Sequence, residues 1–346
     1  MSDYKKQEKL KLEQKTSAIL DGCPSYVRDY FNNIKLTTEP LTRYNYAVDI
    51  MNFLQFIVDS NSSLNTVRDI TPEIFNSIRR ADIIEYLGSV AAYVDKNGIE
   101  RTNSEHGYAR KLSALRSLYK FLVASAEYPE IRLNPAAVVR MPKIHKKDII
   151  YMEKDEISDF LDLVKSGNLS GKKKQYYEKT KYRDIAIMTL FLGTGMRVSE
   201  LVGINIDDID LDHNSVQVSR KGGKVQFLYF NNDVKAALQD YLDIERPAIA
   251  EKAEDRSPLF YSMQKKRIGT KAVENLVKKY AAEAVPNKHI TAHKLRSTYA
   301  TNLYENTDDI YLVSSSLGHE SLETTKHYAD ESEERRRRAK DYTDWL

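Results

Sequence analysis

The residues able to do chemistry concentrate in the second half of this chain. Tyr328 stands in the stretch LGHESLETTKHYAD, residues 317–330, with His319 on the other side of a short helix restart. A tyrosine is a poor nucleophile near neutrality, because its phenol titrates near pH ~10. It attacks a phosphate only where cations neutralise that phosphate and something accepts its proton. Suitable groups lie in three further stretches. Arg197 sits in TGMRVSEL, just past a glycine turn, with Glu200 three residues on. Lys221 and Lys224 flank two glycines in RKGGK. His293 and Arg296 lie in HKLR, three apart and therefore on one helical face. Taken singly, each has an ordinary reading: a packed tyrosine among 23, a surface ion pair, a solvated turn lysine, an amphipathic helix turn. Taken together they offer two guanidiniums, an ammonium, two imidazoles and a phenol.

Composition narrows the setting. At 346 residues, two domains are expected. Basic and acidic residues nearly balance, 53 against 50, so any nucleic-acid surface must come from local clustering rather than net charge. The one cysteine, Cys23, precludes an internal disulfide and fits a reducing cytoplasm. The charged N-terminus MSDYKKQEKLKLEQK lacks an apolar signal core, and the longest apolar run, near residues 185–192, is too short to span a bilayer. The seven histidines are scattered without metal-ligand spacing. No GxxxxGK followed by Ser or Thr occurs, so a phosphate-cradling loop is absent from the sequence.

The elements that must position these groups follow from periodicity and breakers. Residues 1–22 read as a charged helix or arm. PSYVRDYFNNIKL has helical apolar spacing, and a helix is expected from Thr42 as N-cap until Asn61-Ser62-Ser63. Thr71-Pro72-Glu73 opens another helix, and a further one is expected from Ile83 to Val94, before a turn at Asn97-Gly98. In SEHGYARKLSALRSLYKFLVAS, Leu112, Leu115, Leu118, Tyr119 and Leu122 form one face. Arg110, Lys111, Arg116 and Lys120 lie elsewhere on that helix, available either to a phosphate backbone or to solvent. Asn134-Pro135 ends this helical block.

Beyond a basic linker, EKDEISDFLDLV begins the second domain, and residues 166–182 read as a basic surface loop. RDIAIMTLFLGTG is a buried helix ending at glycine. SVQVSRKGGKVQFLYF alternates around its glycines as a β-hairpin. Helices are expected at residues 233–244, 270–284 and 292–304. The boundaries read 1–134 for a helical first domain, 135–150 for the linker, 151–330 for the second domain and 331–346 for a tail.

The motifs TGMRVSEL, HKLRSTYAT and LGHESLETTKHY resemble, in order, the three boxes of the tyrosine recombinase (integrase) family. Within it the chain is most similar to the Xer recombinases and their XerS-like branch, through the KGGK hairpin and the inserted loop. RKLSALRSLYKFL resembles the family's core-binding helical domain more weakly. Ser297 stands where a histidine often follows the second-box arginine. The resemblance implies a mainly α fold (α+β): an all-helical core-binding domain and a mixed catalytic domain with a small antiparallel sheet.

It also implies transesterification. Tyr328 would attack a DNA phosphodiester to give a 3′-phosphotyrosyl link and free a 5′-hydroxyl, with the bond energy conserved, so that no cofactor, ATP or metal is needed. Arg197 and Arg296 would clamp the non-bridging oxygens, which a lysine's point charge could not do in the same fork. Lys221, or Lys224 on the same hairpin, would protonate the leaving oxygen. His293 and His319 would handle the tyrosine proton and a phosphate oxygen, with Glu200 orienting the first-box arginine. The implied partners are double-stranded DNA with inverted-repeat half-sites, a homotetramer on two sites held through the tail, and a DNA translocase accessory. Resolution of chromosome dimers is the expected role; integration or excision of a mobile element, or a DNA-binding architectural protein with an idle site, are the rivals.

Overall fold

The computed structural model describes residues 3–94, 98, 100–145, 148–169, 171, 173–220, 223–318, 322 and 325. The chain divides into two units, Asp3–Lys146 and Lys147–Leu346, apart from its first two residues. Both are mainly helical.

The first unit runs α1 (Asp3–Leu20), α2 (Ser25–Ile34), α3 (Pro40–Asp59), α4 (Pro72–Ser77), α5 (Arg80–Ser89), the antiparallel pair β1 (Ala92–Val94) and β2 (Glu100–Thr102), and α6 (Glu105–Ala124). The apolar face of α6 is fully buried at Leu112, Leu115, Leu118, Tyr119 and Leu122. It packs on α2 and α3, whose Tyr26, Phe53 and Leu54 join Phe75 of α4 in the same core. Stacking of Phe75 on Tyr119, centroids 4.4 Å apart, anchors α4 to α6.

Four expectations change here. Helix α3 starts at Pro40, not after Thr42, because proline's fixed φ suits the first helical position. The helix expected through Val94 stops at Ser89, and Ala92–Val94 pairs with Glu100–Thr102, so this unit is not wholly helical. The β-branched and aromatic residues Tyr93 and Val94 favour the strand. Helix α6 ends at Ala124, well before Asn134-Pro135. The irregular segment that follows belongs to this unit's core, burying Ile131, Ala136 and Val139, so the first part of the expected linker is packed.

The second unit comprises α7 (Lys154–Ser166), α8 (Lys173–Tyr177), α9 (Lys181–Thr194), α10 (Val198–Leu201), β3 (Ile209–Asp210), β4 (Ser215–Ser219), β5 (Val225–Tyr229), α11 (Asn232–Asp240), α12 (Arg246–Ala250), α13 (Thr270–Ala284), α14 (Ala292–Thr307) and α15 (Ile310–Leu317). Helix α9 is apolar around most of its circumference, which suits a central helix. It buries Ala186, Ile187, Met188, Leu190 and Phe191 against α7, α11 and α14. The sheet order is β3-β4-β5, antiparallel throughout, with Val216 opposite Leu228 and Ser219 opposite Val225.

Two differences from the sequence reading have local causes. The helix from Asn232 continues beyond residue 244 through a widened turn at Tyr241–Glu245 into α12, where Pro247 has no N–H to give to the preceding turn. The basic loop contains α8, whose Tyr177 is buried and donates its hydroxyl to the carbonyls of Val164 and Lys165.

Candidate active site

Helix α9 stops at Gly195, whose φ of 61° favours glycine; the Tyr299 ring occupies the space a Cβ would need. The turn sets Arg197 as N-cap of α10. Glu200 closes that cap. Its Oε2 accepts from the Arg197 backbone N–H at 2.8 Å, and its Oε1 accepts from Arg197 Nη1 at 2.9 Å. One carboxylate thereby caps the helix and aims the guanidinium. The Glu200 side chain is 4 % exposed and that of Arg197 42 %, so the acid anchors and the cation reaches outward.

Helix α14 begins behind Thr291, whose hydroxyl accepts the Lys294 N–H. This start puts His293 in the first turn and Arg296 one turn later. Arg296 is buried; its Nη1 donates to the Gly195 carbonyl at 2.7 Å and its Nη2 to the Leu317 carbonyl at 2.8 Å. The second-box arginine therefore fixes the ends of both the first-box turn and α15. His293 keeps an exposed edge. Partial burial of its ring, then the cations Lys294, Arg296 and Arg197, hold its pKa below the usual imidazole value of 6.5. A neutral imidazole results near pH 7, able to accept a proton.

Asp309 caps the start of α15, accepting from the backbone N–H groups of Tyr311 and Leu312, and Gly318 ends the helix with φ 61° and ψ 50°. The terminal carbonyls meet two guanidiniums. Arg220 Nη1 donates to Leu317 O, the acceptor also used by Arg296, and Arg220 Nη2 donates to Ser316 O at 3.1 Å. Cations suit the negative end of a helix. Gln226 on β5 adds a bond from Nε2 to Ser315 O at 3.0 Å.

Arg220 was missed by sequence reasoning, though its signal was present. Val216, Val218 and Arg220 alternate, so the arginine extends the face on which the two valines are buried. Its side chain is 8 % exposed and its Nε lies 3.8 Å from Glu200 Oε1. Burial lowers its pKa, which Glu200 opposes and Arg197 reinforces.

Arg220, just past β4, and Arg296 on α14 thus meet at the end of α15, with Arg197 and Glu200 at α10 tied to Arg220 through the shared carboxylate and His293 near Arg197 and Arg296. With Glu200 as the acid among them, the group carries a surplus of positive charge suited to an anion. Lys224 is exposed, and its carbonyl accepts the Arg220 N–H at 2.7 Å. Lys221, His319 and Tyr328 lie outside the described residues.

The four cations of α6 separate. Lys111 is buried and its Nζ meets Asp49 Oδ1 at 2.9 Å, which corrects its reading as a phosphate contact. Arg110 Nη1 meets Asp49 Oδ2 at 3.1 Å. Arg116 donates to the carbonyls of Ala136, Ala137 and Val139 and so pins the packed segment. Lys120 is exposed.

Fold and site define a class, and comparison with known proteins agrees. The profile of the phage integrase family matches residues 151–335. The chain belongs to that family and is a tyrosine recombinase, an enzyme of DNA strand cleavage and rejoining. Tyrosine recombinase XerC of Caldanaerobacter subterraneus subsp. tengcongensis is 34 % identical over 310 residues, covering 87 % of this chain and 80 % of the relative. Tyrosine recombinase XerS of Streptococcus uberis is 29 % identical, covering 88 % and 91 %. Among solved structures, XerH bound to its difH substrate aligns with a TM-score of 0.64 at 18 % identity, over 92 % of this chain and 90 % of that one. A lambda integrase dimer on a core site aligns at 0.59 and 17 %, over 89 % and 95 %. These two structures share the fold.

Proposed function

We propose that the chain carries out Xer-type site-specific recombination with Tyr328 as its nucleophile. The observation that carries this reading is that Arg296 joins the first-box turn at Gly195 to the Leu317 carbonyl, and that it and Arg197 lie near enough to His293 to lower its pKa; the chain then runs from Leu317–Gly318 into His319 and the segment bearing Tyr328. The phenolic oxygen attacks the scissile phosphorus and the P–O bond to the 5′-oxygen breaks. Neutral His293 takes the phenol proton, and Lys221 gives a proton to the departing 5′-oxygen. Arg197 and Arg296, with His319, hold the non-bridging oxygens, where charge builds in the transition state. Glu200 keeps Arg197 in place. A 5′-hydroxyl of the partner strand then reverses the step, restoring the phenol and a phosphodiester. Lys224, exposed on the hairpin, is the competing proton donor.

The substrate is double-stranded DNA with inverted-repeat half-sites, bound by four copies on two sites in the cytoplasm, with a DNA translocase as accessory. Lys120, which is exposed, and Arg110, which is partly exposed beside Asp49, are the α6 cations we assign to the DNA backbone. The relatives named XerC and XerS support an Xer-type recombinase, and resolution of chromosome dimers is the biological role we assign to it.

The test uses a duplex carrying such a site, nicked beside the cleavage point so that the cut end diffuses away. Wild-type protein should accumulate a covalent adduct and place four copies on paired duplexes in sedimentation. Tyr328→Phe should bind equally and form no adduct; an adduct in that variant would move the nucleophile elsewhere.

A further inference from the structure

We propose that Arg220 is a positioning residue that locks the tip of the β4–β5 hairpin against the Leu317–Gly318 turn, and so sets the approach of the proton-donating lysine. This rests on the reading of Lys221 as general acid.

Three observations carry it. First, the Arg220 main chain closes the hairpin tip: its N–H donates to Lys224 O at 2.7 Å, and its carbonyl accepts from Gly223 at 3.2 Å. Lys221 is the next residue in the chain. Second, the side chain leaves the hairpin and binds elsewhere, its two terminal nitrogens on Leu317 O and Ser316 O. Third, Gly318 fits against it, since a Cβ there would overlap the guanidinium. Gly318 therefore has two reasons to be glycine, its left-handed φ and this close approach.

The connection extends to the other motifs. Arg220 and Arg296 share the Leu317 carbonyl, and Arg220 and Arg197 share Oε1 of Glu200, at 3.8 and 2.9 Å. The buried Arg220 Nε has no hydrogen-bond acceptor among the described residues, so the carboxylate is its electrostatic partner. One guanidinium thus joins the hairpin to the first box through Glu200 and to the third through the helix end. Only a planar fork reaches two adjacent carbonyls while its inner nitrogen faces a carboxylate; a lysine head is a single point. Because Arg296 also caps Leu317, loss of Arg220 releases the hairpin more than the helix end.

The experiment follows adduct formation in single turnover on two nicked duplexes, one with the normal 5′-oxygen at the scissile phosphate and one with sulfur there, whose departure needs no proton. Arg220→Ala should slow the oxygen substrate by about 10–100-fold, less than the roughly 100–10,000-fold that a general acid supplies, because the lysine is misplaced and not removed. The sulfur substrate should lose no more than about 3-fold by the same reasoning. DNA binding is measured in parallel, and the rates are compared at saturating DNA. Arg220→Lys, which keeps the charge but not the fork, should behave like Arg220→Ala, and it carries the comparison if the alanine variant fails to fold. Equal losses on both substrates, with Lys221→Ala rescued by sulfur, would overturn the proposal. If sulfur does not rescue Lys221→Ala, the general-acid reading itself fails. Then the double variant decides: an Arg220 effect that vanishes in the Lys221→Ala background upholds the positioning role, and an additive effect overturns it.

Discussion

Replacing Glu200 by glutamine tests the site where structure and chemistry depend on one side chain. The carboxylate accepts two hydrogen bonds from Arg197, one from the backbone at 2.8 Å and one from the guanidinium at 2.9 Å. Glutamine keeps one acceptor and turns an NH2 towards the other donor, so one charge-assisted bond is lost. Such bonds contribute about 1.5–3 kcal/mol each, and the site is buried, so stability should fall by about that amount. The effect on rate is separable. Removing a whole oxyanion donor costs about 2.7–4 kcal/mol of transition-state stabilisation. Here the guanidinium remains but loses its aim, so about half is forfeited, roughly a 10–30-fold slower cleavage. The assay is single-turnover adduct formation on the nicked duplex, well below the melting temperature of the variant, with binding measured in parallel. Cleavage at the wild-type rate in folded Glu200→Gln protein would refute the orienting role and leave only a helix cap. A rate loss matched by an equal loss of binding would refute it too.

Further outcomes are expected in both units. His293 has a lowered pKa and must be neutral to accept the tyrosine proton, so the acid limb of kcat/KM should fall below pH 6.5. Its stability contribution has the corresponding sign: present above the unfolded value, lost as pH drops from 6.5 towards the depressed folded value. Replacing Arg197 by alanine, which removes a cation that depresses His293, should move that limb upward; an acid limb at or above 6.5 in the wild type would contradict the reading. In the other unit, Lys111→Met leaves the buried Asp49 carboxylate with only Arg110, 38 % exposed, and should lower stability by about 3–5 kcal/mol in urea unfolding. Adding Asp49→Leu should recover most of that loss, and a Lys111→Met protein as stable as wild type would show that the ion pair is not needed.

The motifs, the central helix and the glycine stops were legible because their causes are local. Gly195 and Gly318 each end a helix in the left-handed region, as a glycine after an apolar helical run announces. The alternation SVQVS and VQFLY read directly as the β4–β5 pair, and HKLR put His293 and Arg296 on one helical face. Errors of extent were also local: Pro40 started α3 early, and the segment after Ser89 turned into a strand.

The sequence by itself determined which chemical groups the chain holds, in what order, and on which kinds of element. Only the tertiary structure decided what each cation is for. Arg220 meets carbonyls 96 and 97 residues away, Arg296 meets one 101 residues away, and Lys111 meets Asp49 across 62 residues. A guanidinium capping a helix, one reaching outward from a buried carboxylate and an ammonium sealed into a core ion pair are built from side chains that look alike in a sequence. Their reach, exposure and partners come from the neighbours the fold delivers, because burial and electrostatic coupling depend on distance in space and not along the chain.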